Sequence, residues 1–73
     1  LDGDYAVVRQ EAEPRKGDIV VAGIPGEEGT VKTWSRKGNR IVLLPANERF
    51  SPIELDAADV RVYGKVVAVL RRL

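Results

Sequence analysis

The sequence predicts one small all-β domain, and three observations carry that prediction. Valine leads the apolar set with eleven copies, and β-branched side chains suit a pleated, half-buried surface. The apolar residues come in short runs separated by Gly, Pro, Asn and charged clusters, which is a strand pattern. No window of about 11–18 residues keeps the i, i+3, i+4, i+7 spacing of an amphipathic helix.

Taken in order, the predicted strands are Tyr5–Arg9, Ile19–Ile24, Thr30–Arg36, Arg40–Leu44, a short Pro52–Leu55, Val60–Val62 and Lys65–Arg71. Asp56–Asp59 reads as one helical turn capped by Asp56, because Asp accepts from the exposed N–H groups at a helix start. Pro25-Gly26 and Gly38-Asn39 are turn dipeptides, so Ile19–Leu44 forms a three-strand antiparallel meander with Thr30–Arg36 in the centre. Alternation along the central strand sets Val31, Thr33 and Ser35 on one face, and Thr30, Lys32, Trp34 and Arg36 on the other. Ile19–Ile24 and Lys65–Arg71 are nearly continuous in apolar residues, the composition of strands covered on both faces.

The 73 residues hold no Cys and no His. That excludes a disulfide framework, a thiol nucleophile, a His-dependent triad and imidazole metal ligands. No cofactor is expected, and any catalysis must use Ser, Thr, Lys, Tyr or carboxylates. Twelve Lys/Arg against eleven Asp/Glu leave a net charge of +1, not the basic footprint of a nucleic-acid binder. The longest apolar run, Val66–Leu70, is five residues, far below the roughly 20 that span a bilayer. With no export signal at Leu1-Asp2-Gly3-Asp4, a cytoplasmic protein without membrane contact is expected. Met is absent throughout, which suggests a piece of a longer or processed product.

Lys32 is the residue of most chemical interest. It shares a face with the single tryptophan, and a lysine buried without a counter-charge has its ammonium form disfavoured. A neutral lysine can act as a general base toward a serine hydroxyl. The alternative is an ordinary strand lysine, its stem over the sheet and its ammonium in water. Neither serine nearby is a convincing partner: Ser35 faces the other side of the strand, and Ser51 before Pro52 reads as a turn residue. Asp2 and Asp4 around Gly3, and Glu27-Glu28 at a hairpin tip, are better read as turn chemistry than as carboxylate sites. Val66–Leu70 is either an internal strand or the contact of a homodimer through Val66, Val67, Ala68, Val69 and Leu70.

The ordered landmarks Leu1-Asp2-Gly3-Asp4, Lys16–Val21, Gly29-Thr30-Val31-Lys32, Leu44-Pro45-Ala46-Asn47, Pro52-Ile53 and Gly64–Val67 run the length of the chain. Together they resemble the C-terminal catalytic domain of LexA-type repressors, Ser-Lys self-cleaving peptidases of the S24 family. The resemblance covers residues 1–73 as the C-terminal part of such a catalytic and dimerisation domain. It implies a LexA/signal-peptidase-like fold of coiled β-sheets including an SH3-like barrel, with Lys32 as the general base. It also implies serine attack on an Ala-Gly bond of the same polypeptide, stimulated by the RecA filament on single-stranded DNA, with derepression of DNA-repair genes. Val66–Leu70 then becomes the twofold dimer contact.

The same resemblance places the nucleophilic serine upstream of Leu1 in a Gly-x-Ser-Met-type motif. The Ala-Gly site and the helix-turn-helix that reads operator DNA also lie outside these residues. The chain alone is therefore expected neither to cleave itself nor to bind operator. Gly29 and the Ile24-Pro25-Gly26 tip vary from the family pattern. A competing reading is an inactive β-barrel that binds or dimerises, with Trp34, Tyr5, Tyr63 and Arg36 as a recognition face.

Overall fold

A computed structural model describes residues 4–10, 13–45 and 49–71. Six strands form one antiparallel sheet: β1 (Asp4–Arg9), β2 (Ile19–Ile24), β3 (Glu27–Lys37), β4 (Arg40–Pro45), β5 (Ile53–Asp56) and β6 (Arg61–Arg71). Their spatial order is β1-β6-β2-β3-β4-β5. The all-β expectation and the β2-β3-β4 meander hold. The sheet is not closed: β1 and β5 are its two edges, so the barrel implied by the resemblance is here an open sheet. It curls nonetheless, because Val20 and Ala22 of β2, Trp34 of β3 and Ile41 and Leu43 of β4 share one buried cluster. Ile53 and Leu55 of β5 and Val62 of β6 close against the same cluster.

Local chemistry explains the turns. Pro25-Gly26 joins Ile24 to Glu27, and Gly26 takes φ +85°, as the third position of a Pro-led type II turn requires. Gly38-Asn39 joins Lys37 to Arg40, with Gly38 at φ +60°, the positive φ that a two-residue hairpin loop needs. Ahead of β2, the Gly17 N–H donates to the Trp34 carbonyl at 2.9 Å, and the Trp34 N–H donates to the Asp18 carbonyl at 2.7 Å. The residues 15–18 turn is thereby tied to the strand that carries the core tryptophan.

Four expectations need correction. Val60–Val62 and Lys65–Arg71 are not two strands, since β6 runs unbroken from Arg61 to Arg71. Gly64 does not interrupt it. It serves close approach instead, because a Cβ there would collide with Val8 Cγ1 and lie 3.0 Å from the Arg9 carbonyl oxygen; glycine inside a strand commonly marks such a crowded crossing. Second, β2 is not covered on both faces: Val20, Ala22 and Ile24 are buried while Ile19 is exposed.

Third, β6 is exposed over Val67–Leu70, while Val66 is half-buried. β2 pairs with Arg61–Lys65, and β1 pairs with Lys65–Arg71, so among the described residues the β1–β6 ribbon runs on past its pairing with β2. Val67, Val69 and Leu70 are exposed there. Fourth, the turn after β5 is a 3₁₀ turn at Ala57–Asp59 without a side-chain cap from Asp56. The Asp56 carboxylate is engaged elsewhere, accepting from Arg40 Nη1 at 2.6 Å. A charge-assisted bond of that kind outweighs the capping of a three-residue turn.

Candidate functional site

Lys32 sits in the middle of β3, opposite Val20 of β2 and Pro45 of β4. As alternation predicts, it lies on the face of Trp34, two residues along. The core tryptophan is 8% exposed, whereas Lys32 stands toward the rim of the same face. Its side chain is only 11% exposed, with Nζ 3.7 Å from Oε1 of Glu27. Lys32, Glu27, Pro45, Phe50, Ser51 and Ile53 enclose a recess of about 290 Å³. An amine lining a largely apolar recess, with one carboxylate beside it, can accept or release a proton toward a group entering from solvent.

Two residues of that recess escaped the sequence. Ser51 was read only as a turn residue, and Phe50 was not singled out. Both are brought over β3 by the chain return from β4 to β5, a long-range arrangement with no local signal. Ser35 lies on the opposite face as expected, paired with Val42. Glu27 and Glu28 were placed at a hairpin tip, but they open β3 itself.

A register slip decides which of the two glutamates meets Lys32. Between Ala22↔Thr30 and Ile24↔Glu27, β2 advances two residues and β3 three. The extra residue falls at Gly29, whose φ is +65°, the signature of a β-bulge. In a regular strand residues 27 and 32 would face opposite sides. The bulge turns Glu27 onto the lysine's face.

The proposed recognition face does not assemble. Trp34 and Arg36 line one cleft of about 490 Å³, with Ile41, Val60 and Val62. Tyr63 lines a different one, of about 400 Å³, with Pro25 and Arg61. Tyr5 is on the β1–β6 ribbon, paired with Leu70. Asp2 lies outside the described residues.

A second charged pair lies just ahead of β2. Asp18 has its carboxyl pKa lowered, chiefly because the Arg15 backbone N–H donates to it; partial desolvation opposes this and Lys65 adds to it. The Arg15 N to Asp18 Oδ2 distance is 2.8 Å, and Lys65 Nζ lies 3.3 Å from the same oxygen. Among the described residues no helix is long and apolar enough to cross a membrane.

Comparison with known proteins identifies the family. The Peptidase S24-like family model matches residues 1–67. The chain is 42% identical over 72 residues to the LexA repressor of Zymomonas mobilis, covering 99% of this chain and 33% of that protein. It is 53% identical to the LexA repressor of Acidothermus cellulolyticus, with 99% of this chain and 25% of that one covered. For the LexA repressor of Mycobacterium leprae the identity is 49%, at 99% and 29%. The chain thus spans about a quarter to a third of the length of these relatives. With a family model aligned along nearly all of an all-strand domain, the chain belongs to the Peptidase S24-like family.

Proposed function

We propose that this chain is the lysine-bearing part of a LexA-type repressor's self-cleaving domain, with Lys32 as general base. The observation that carries the reading is a strand lysine that shows only 11% of its side chain to solvent, in the Thr30-Val31-Lys32 motif of an S24 relative. Uncharged Lys32 Nζ takes the proton of a serine hydroxyl supplied upstream of Leu1. The serine oxygen then bonds to the carbonyl carbon of an Ala-Gly peptide in the same polypeptide. The lysine returns the proton to the departing glycine amine, and water hydrolyses the acyl-serine. The trigger is the RecA filament on single-stranded DNA, and the outcome is loss of operator binding, a function of the helix-turn-helix, and release of DNA-repair genes.

The same proposal makes the protein a cytoplasmic homodimer joined through Val66, Val67, Ala68, Val69 and Leu70. What supports it is geometry. β1 pairs with one edge of this stretch, while β2 ends at Lys65 on the other. An open edge beside exposed apolar side chains favours pairing with a second copy.

The test uses the polypeptide restored upstream of Leu1. Its intact mass is followed over time from about pH 7 to about pH 10, a range that increases the free-amine fraction of a lysine. Breakage at one internal bond, independent of dilution and lost in Lys32→Ala but kept in Ser51→Ala, is the expected result. A polypeptide that stays whole, alone and with activated RecA filament, leaves a domain that only binds or dimerises.

A further inference from the structure

We infer that the Asp18–Lys65 ion pair is the joint that fixes the direction in which the β1–β6 ribbon leaves the body of the sheet, and so aims the edge that a second copy meets. The meeting with a second copy rests on the proposed contact through Val66–Leu70; the joint stands on the geometry of one chain.

β6 bends on both sides of Lys65. Between Val21↔Gly64 and Ala22↔Val62, β2 advances one residue and β6 two, which leaves Tyr63 extra. Between Val7↔Ala68 and Val8↔Val66 the same count leaves Val67 extra. Each extra residue is a β-bulge, which disrupts the ladder locally, bends its strand and sharpens its twist. Lys65 stands midway between the two bulges. Among the described residues it is the one position of β6 paired on both sides, with Val20 of β2 and with Arg9 of β1.

What holds Lys65 is a turn already fastened to the core strand. Lys65 Nζ lies 3.3 Å from Asp18 Oδ2, with the lysine side chain 31% and the aspartate 21% exposed. The same carboxylate oxygen accepts from the Arg15 N–H at 2.8 Å. Two backbone bonds tie the turn to Trp34 of β3, one donated by the Gly17 N–H and one accepted by the Asp18 carbonyl. The ion pair therefore runs from the core to the point where β6 changes partners. Both ends are partly shielded from water, so salt and solvent screen the pair less than a fully exposed one. A strand bent at two places takes its heading from whatever holds the residue between them. With that heading fixed in advance, a second copy meets an edge that needs no further ordering, which lowers the cost of association.

The experiment uses the upstream-restored polypeptide, with any native cysteine replaced by serine and nitroxide labels at Tyr5→Cys on the ribbon and Lys37→Cys on the body, both exposed positions. Labelled chains are diluted into unlabelled ones, so that pulsed electron resonance reads the label-to-label distance within one protomer. Asp18→Asn keeps an acceptor for the Arg15 N–H and removes the charge, while Lys65→Met removes the opposite charge and keeps the stem. Each is expected to broaden the distance distribution, and the double variant to broaden it no further, as for two residues that act through one contact. In unlabelled chains each should weaken the dimer about two- to fivefold in analytical ultracentrifugation, the worth of one ion pair, again without addition in the double variant. Asp56→Asn, which breaks the Arg40 pair at the far side of the sheet, should change neither. An unchanged distribution, effects that add, an equal effect of Asp56→Asn or an unchanged dissociation constant overturns the inference. A dimer that survives Val67→Lys instead removes the contact beneath it, and that result is visible without any change at Asp18 or Lys65.

Discussion

Gly64 offers the sharpest test of how the β1–β6 ribbon joins the body. It is buried in β6, opposite Val21 of β2, where the strand passes from pairing with β2 to pairing with β1. An added Cβ meets Val8 Cγ1 head-on and the Arg9 carbonyl oxygen at 3.0 Å. Overpacking of this kind costs about 1–3 kcal/mol. The substitution Gly64→Ala also removes backbone freedom from the unfolded chain, worth about 0.4–1 kcal/mol in the opposite direction. The two ranges leave a net loss of about 0–2.6 kcal/mol, centred on about 1 kcal/mol.

A double-mutant cycle separates the two obstacles. Val8 is 39% exposed, so Val8→Ala alone should cost no more than about 1 kcal/mol, a partial share of a buried methylene pair. Combined with Gly64→Ala it removes the colliding methyl and leaves only the carbonyl contact. The double variant should then be more stable than the two single losses predict by about 1 kcal/mol, within the range seen for residues in contact. Urea unfolding followed by fluorescence of the single tryptophan reads this directly, because Trp34 sits in the core. Additive losses would refute the packing account.

Three further outcomes follow from the same geometry. Val67→Lys places a charge within the exposed Val66–Leu70 stretch and should dissociate the proposed dimer in analytical ultracentrifugation; an unchanged dimer would exclude this strand. Asp18 has its folded-state pKa lowered by the Arg15 N–H and, secondarily, by Lys65. Its stabilisation is therefore present above the ordinary carboxylate range near pH 4 and is lost as pH falls through the folded value. Asp18→Asn should flatten the stability profile on that acid side, and an acid limb of equal slope would contradict the assignment. Lys32→Ala should end self-cleavage of the upstream-restored polypeptide while leaving its sedimentation unchanged, and a variant that still cleaves would dismiss Lys32 as the base.

The sequence by itself determined the tight turns and the alternation of faces, which depend on neighbours along the chain. The Pro25-Gly26 and Gly38-Asn39 turns were legible because positive φ and fixed proline φ are local demands. The shared face of Lys32 and Trp34 was legible because strand alternation has a period of two. Only the tertiary structure decided what depends on distant partners. It inserted β6 between β1 and β2, a pairing that no spacing announces. It left the end of β6 uncovered although its composition reads as interior, since coverage is a property of what packs against a strand. It separated Tyr5 and Tyr63 from Trp34 and Arg36. It brought Phe50 and Ser51 to Lys32, and through one extra residue at Gly29 it turned Glu27 toward the amine. A bulge reverses every side chain beyond it, so its location, set by pairing across strands, governs which carboxylate faces the lysine.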